Sequence, residues 1–215
     1  MFLVVPTLPV LGLLPVTIIP VLVAFGLLCL AVLLRDPRFP RHRLGLGPLI
    51  KRPDGLRATL RRICGWFLIG AAAMGAAVAI FDGDALFSLV RERPHIWAII
   101  MVGYPLLSVY PQEMIFRTFM FHRYGGVFRT RAAMIAASAA AFGYAHIVLG
   151  NALAVALSLV GGFLFAYTYD RTRSTLLCAI EHALYGCFIF TIGLGTYFYH
   201  GSMRMAEMAA GAGGP

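Results

Sequence analysis

Residues 96–121 read IWAIIMVGYPLLSVYPQEMIFRTFMF, a run of 26 positions in which only Glu113 and Arg117 are charged. As a helix rising about 1.5 Å per residue, the run would measure roughly 39 Å, more than the ~30 Å hydrocarbon core of a bilayer. Comparable apolar runs lie near 14–34, 64–82, 132–149, 152–169 and 175–199. Together they predict an all-α, polytopic membrane protein of about six transmembrane helices. Pro111 is expected to break the third run, leaving a membrane helix and then a second segment that carries QEMIFRTFMFHRY.

Composition points the same way. The 215 residues are 60% hydrophobic and 13% charged, with a mean hydropathy of +0.82. Soluble domains average roughly 45–50% apolar and about 25% charged residues, so a soluble fold of this size could not hide so much apolar surface. Lipid can take the place of a core. The length suits a single membrane domain over 1–215. The first run has no positive segment ahead of it and no small-residue cleavage site before Arg35, so it reads as a first span rather than a removable leader. Pro6, Pro9, Pro15 and Pro20 delay its regular helix to Pro15 or Pro20. The Gly-, Ala- and Met-rich tail beyond Tyr199 is expected to fray.

The formal net charge is +9. The positive residues sit in short segments between apolar runs, without the aromatic–basic interleaving of a nucleic-acid surface, so the expected partner is the lipid bilayer and not nucleic acid. Segment 35–63 holds nine Lys/Arg, segment 122–131 adds Arg123, Arg129 and Arg131, and 170–174 adds Arg171 and Arg173. With six spans these 14 residues share one side, against Arg91, Arg93 and Arg204 on the other. The positive-inside rule then predicts both termini outside the cytoplasm, in a bacterial inner (plasma) membrane. Cys29, Cys64, Cys178 and Cys187 form no CxxC pair and read as small apolar residues.

Ionisable groups inside spans are costly and mark pairs or function. Four places stand out: Gln112-Glu113 with Arg117, His146 with Asn151, Glu181-His182, and His122 at the edge of a basic loop. Glu113 and Arg117 are four residues apart and share one helix face. Glu181 and His182 point about 100° apart around theirs. Taken singly, Glu113–Arg117 reads as a neutralising ion pair, His146 as a buried satisfied imidazole and His122 as an interfacial one. Taken together, three helices each bring a carboxylate or an imidazole. Gly143, Ala145, Gly161, Gly162, Ala183 and Gly186 would let those helices approach closely. A carboxylate beside a histidine is a sufficient kit to activate water for amide hydrolysis. A Glu113, His146 and His182 set would also suit zinc, but no HExxH spacing accompanies it; neither a metal nor a cofactor is expected.

Order and spacing of these residues resemble the CAAX-protease and bacteriocin-processing family, which includes the type II prenyl-protein endopeptidases. Gln112-Glu113-Met114-Ile115-Phe116-Arg117 is similar to its EExxxR motif, and Phe142-Gly143-Tyr144-Ala145-His146 to its FxxxH motif. His182 followed by Gly186 is similar to its histidine with an asparagine-like residue four positions on. The stretch YTYDRTRSTLLCAIEHAL resembles the family's approach to that third motif, and the likeness covers about 96–190. The resemblance implies a glutamate-type intramembrane endopeptidase acting on a membrane-embedded or lipidated peptide or protein. It implies that the first glutamate and the FxxxH histidine activate water, that the third-motif pair holds the oxyanion, and that the second glutamate and the arginine support them.

Residue by residue, two positions depart from the motifs. Gln112 stands where the water-activating glutamate would be, and an amide cannot act as a general base. Gly186 has no side chain to hold an oxyanion. Two functions therefore stand side by side. In one, the chain is an endopeptidase in which Glu113 takes over as base, with His146 as partner and His182, Arg117 and Gln112 around them. In the other, it is a catalytically silent relative that binds a membrane protein or lipidated peptide for maturation, immunity or assembly.

Overall fold

The computed structural model describes residues 18–48 and 53–198. The expectations for Pro6, Pro9 and Pro15, for Lys51, Arg52 and Arg204 and for the tail lie outside these residues, whereas Pro20 lies in the first turn of a helix that starts at Ile18. Six long helices are present among them: α1 Ile18–Arg35, α2 Pro53–Phe81, α3 Pro94–Tyr124, α4 Arg131–Ala145, α5 Ala152–Thr172 and α6 Thr175–Thr191. The first five, with α4 counted through its continuation to Leu149, are long and apolar enough to cross a membrane; α6 is a shorter apolar helix of 17 residues. No strand occurs among the described residues.

Local chemistry sets the boundaries. Thr130, Asn151 and Ser174 cap α4, α5 and α6, their side-chain oxygens accepting the amides of Ala133, Ala154 and Leu177 at 3.1, 2.8 and 3.1 Å. Asn151 is thus a helix cap, not a partner of His146; its Nδ2 also donates to the Tyr197 carbonyl at 2.7 Å. Helix α6 stops at Thr191, short of the expected 199. Gly193 follows at φ +96°, and a Cβ there would overlap the Ala85 carbonyl, so the chain must turn on a glycine. Helix α2 begins at Pro53 rather than near 64. A proline suits a first helical turn, and the basic side chains of Arg57, Arg61 and Arg62 let the helix run on past the apolar part.

Pro111 does not break α3. The run stays helical from Pro94 to Tyr124 but widens to π-type turns at Pro105–Val109 and Met114–Phe119. A wide turn before Pro111 makes room for its ring against the preceding carbonyls and absorbs the missing N–H. Gly26 of α1 also accepts that ring: a Cβ on Gly26 would stand 3.0 Å from the Pro111 Cβ.

Close packing is concentrated on α4, α5 and α6. A Cβ on Gly162 of α5 would come within 3.0 Å of the Ala139 Cα in α4, and one on Gly143 within 3.2 Å of the Leu159 Cα. The apolar surface turned outward is large: Val102, Leu68 and Val160 on three different helices are 67%, 65% and 61% exposed. Such a belt belongs against lipid. The segment between α1 and α2 folds back on the bundle. The hydroxyls of Ser174, Thr175 and Tyr110 donate to the carbonyls of Gly45, Arg43 and Leu44 at 2.7, 2.8 and 2.9 Å. This ties the most basic segment to the start of α6 and the middle of α3.

Candidate active site

Glu113 and Arg117 project from the part of α3 that runs into the second wide turn, and both are fully buried. Arg117 Nε lies 3.2 Å from Glu113 Oε2. The N–H is not aimed at the oxygen, so the contact is an ion pair without a well-formed hydrogen bond. Arg117 is held elsewhere as well. Its Nη1 donates to Ser138 Oγ at 3.1 Å, and Ser138 in turn donates to the Phe116 carbonyl at 2.8 Å. The guanidinium carbon sits 4.6 Å from the Phe142 ring centroid and 5.8 Å from that of Phe165. Aromatic faces supply much of what water would otherwise give this cation.

The other Glu113 oxygen, Oε1, meets His182 Nδ1 at 2.9 Å. An ionised carboxylate only accepts, so Nδ1 carries the proton and donates. His182 Nε2 then faces the Tyr104 hydroxyl at 3.1 Å. The imidazole is stacked on the Phe165 ring at 4.7 Å and 16°, which fixes its plane. Glu113, His182 and Tyr104 therefore form one hydrogen-bonded line from the buried ion pair outward.

His146 opens the 3-10 turn after α4. Its Nδ1 lies 2.8 Å from the Phe142 carbonyl, an acceptor, so Nδ1 donates and Nε2 keeps the lone pair. The Phe142 ring lies 4.7 Å from the His146 ring and 5.4 Å from that of His182. By helix counting, His146 falls near one end of its span and His182 nearer the other. Phe142, one turn back along α4, closes that gap. Glu113 has its hydrogen bond with His182 and not with His146.

Both imidazoles and the Tyr104 phenol line a cavity of about 330 Å³. Its remaining wall is mostly apolar, drawn mainly from α2, α5 and α6, with Ile69, Met74, Leu157, Leu164 and Phe190 among the lining residues beside the hydroxyl-bearing Ser158 and Tyr185. Glu113, Arg117 and Gln112 are not among them; Glu113 and Arg117 lie behind the wall, against His182 and against Phe142 and Phe165. Gln112 is buried, donates through Nε2 to Ser108 Oγ at 2.8 Å, and leaves Oε1 without a hydrogen-bond partner. Glu181 is buried on the adjacent side of α6, with Oε2 likewise unpartnered. His122 lies apart from the cluster, at the end of α3, where Nε2 meets Asp36 Oδ2 at 2.8 Å. That contact holds the Asp36 carboxyl below its usual value. Among the described residues, no three His, Cys, Asp or Glu side chains are grouped so as to hold a metal ion.

Sequence reasoning passed over Tyr104 and Ser138. A tyrosine inside an apolar run needs a partner for its hydroxyl, and a lone serine in the alanine run 132–141 needs one too. Those were the available signals. The partners themselves come from helices 78 and 21 residues away.

No curated protein and no solved structure matches the chain. Residues 93–188, which contain every group in the cluster around Glu113 and His146, match the family model described as type II CAAX prenyl endopeptidase Rce1-like.

Proposed function

We propose that the chain is an intramembrane endopeptidase that hydrolyses a peptide bond of a membrane-embedded or lipidated substrate through water activated by its histidine–glutamate cluster. The family match suggests CAAX intramembrane protease activity. The observation that carries the finer reading is an ionisable network set directly behind an apolar cavity among membrane-spanning helices. Charges kept inside apolar helices are expensive and persist where they serve a purpose. The apolar wall fits a lipid-like chain or an apolar stretch of peptide.

In this mechanism His146 Nε2 takes the proton of water as hydroxide adds to the scissile carbonyl carbon. The carbonyl oxygen becomes an oxyanion. When the tetrahedral intermediate collapses, the C–N bond breaks and the imidazolium of His146 returns its proton to the leaving amine. Glu113 has no surface on the cavity, so it acts through His182, accepting its Nδ1–H and fixing the ring orientation. Arg117 places a positive charge beside Glu113, its Nε 3.2 Å from Oε2. Gln112 anchors the helix turn through Ser108.

The alternative is a silent relative that binds a membrane protein or lipidated peptide. Gln112 and the sequestered carboxylate of Glu113 favour it. The test uses the purified chain in lipid nanodiscs with a fluorogenic peptide ending in a farnesylated CAAX sequence. The protease reading expects cleavage by wild type. It also expects a fall of at least about 10²-fold in His146→Ala, with thermal unfolding retained. Glu181→Gln is the control and stays active. A wild type that cleaves nothing, beside a Gln112→Glu variant that does, replaces the protease reading with the binding one.

A further inference from the structure

We propose that the Tyr104 phenol donates the hydrogen bond that holds the substrate's carbonyl oxygen, from the space a side chain on residue 186 would otherwise fill. This rests on the protease reading above. Three observations carry it. First, a Cβ built on Gly186 would overlap the Tyr104 ring and hydroxyl, so a side chain at 186 and the tyrosine at 104 exclude each other. Second, Tyr104 is held in that place: its ring meets Phe190 edge-on at 5.4 Å and His182 at 6.1 Å, and its hydroxyl is 3.1 Å from His182 Nε2. Third, Tyr104, Gly186, His182 and His146 all line the one cavity, so the phenol stands on the wall where the carbonyl must lie.

The hydrogens decide which state of His182 works. With a neutral imidazole, Nδ1 donates to Glu113, Nε2 accepts, and the Tyr104 O–H is spent on it. With an imidazolium, Nε2–H donates to the phenol oxygen, and the O–H is free to turn into the cavity. The line then reads Glu113 carboxylate, His182 Nδ1–H, His182 Nε2–H, Tyr104 O–H, carbonyl oxygen. Each group donates toward the correct neighbour, and the positive charge on His182 strengthens the last donor. As hydroxide adds to the carbonyl carbon, the developing oxyanion meets a donor that is already placed. No bond of Tyr104 is made or broken.

The experiment compares kcat and KM for wild type, Tyr104→Phe, Tyr104→Ala, Gly186→Asn and the double variant Tyr104→Ala/Gly186→Asn on the farnesylated peptide. Tyr104→Phe removes only the hydroxyl. It is expected to lower kcat about 10²-fold with KM kept within about twofold, the size of effect expected for one oxyanion donor. Gly186→Asn alone is expected to be inactive because its side chain meets the tyrosine ring. The double variant is expected to recover at least tenfold over Tyr104→Ala, as the asparagine amide takes the vacated space. An active wild type with an unchanged Tyr104→Phe, or a double variant no better than Tyr104→Ala, overturns the role of Tyr104 alone. A wild type that cleaves nothing overturns the protease reading and this role together.

Discussion

Arg117 is the residue on which the buried charge balance turns. It is fully buried, paired with Glu113, hydrogen-bonded to Ser138 and covered by two aromatic rings. Its removal leaves the Glu113 carboxylate without a cation, and breaking a buried pair from one side costs about 3–5 kcal/mol. Arg117→Met is therefore expected to lower the unfolding midpoint in detergent sharply. Arg117→Met with Glu113→Gln should recover part of the loss, because no bare charge is left behind. Lys at 117 should not substitute: it lacks the planar fork that lies over Phe142 while reaching Ser138. Additive losses in the double variant would show that the pair is not coupled. Gln112→Glu tests the opposite change. The two side chains are nearly isosteric, and Ser108 Oγ can donate to a carboxylate, so the fold should survive while a new buried acid appears.

Helix geometry decides how those side chains are aimed. The wide turns at Pro105–Val109 and Met114–Phe119 flank Gln112 and Glu113, and each shifts the rotational phase of the next turns of α3 relative to a regular α-helix. Glu113 in this way meets His182 while Gln112 turns to Ser108. The α4–α5 contact is as demanding. Gly162→Leu must push α5 away from the Ala139 backbone, and α5 carries the Phe165 ring stacked on His182. The expected result is a loss of at least about 1–3 kcal/mol in stability together with lower activity. Gly75→Leu, where nothing lies within 4 Å of the added carbon, should leave both unchanged. Equal effects of the two changes would remove the packing argument. The ends of α1 and α3 are joined by Asp36 and His122. The hydrogen bond from His122, and then the Arg38 amide, lower the Asp36 pKa. A folded-state pKa below the unfolded one stabilises above the unfolded value, and that contribution disappears as pH falls through the folded value. The gap in unfolding midpoint between wild type and Asp36→Asn should accordingly close as pH drops below about 4. A gap that widens in acid would contradict the pairing.

At the scale of the whole molecule, the segment after α1, the end of α3 and the starts of α4 and α6 gather the basic residues at one end, tied together through Gly45, Arg43 and Asp36. Positive-inside predicts that this end faces the cytoplasm. In a variant without Cys64, a membrane-impermeant thiol reagent should label Asp82→Cys on intact cells, and Arg38→Cys only after permeabilisation. The reverse pattern would invert the topology. The apolar runs made the all-α membrane architecture legible in the sequence, because backbone groups in lipid must be satisfied within each helix and length alone then counts the spans. Spacing likewise made the Glu113–Arg117 pair legible, since residues four apart on one helix are neighbours whatever surrounds them. Other features were not legible. That Glu113 bonds His182, that Phe142 bridges the two imidazoles, and that Tyr104 fills the place beside Gly186 all depend on helices far apart in the chain. Their rotation is set by two wide turns and by glycine contacts, and a shift of one residue in helix phase turns a side chain by about 100°. Residue types and their local spacing come from the sequence by itself. Which groups touch, and which of them reach the cavity, is decided only when the helices pack.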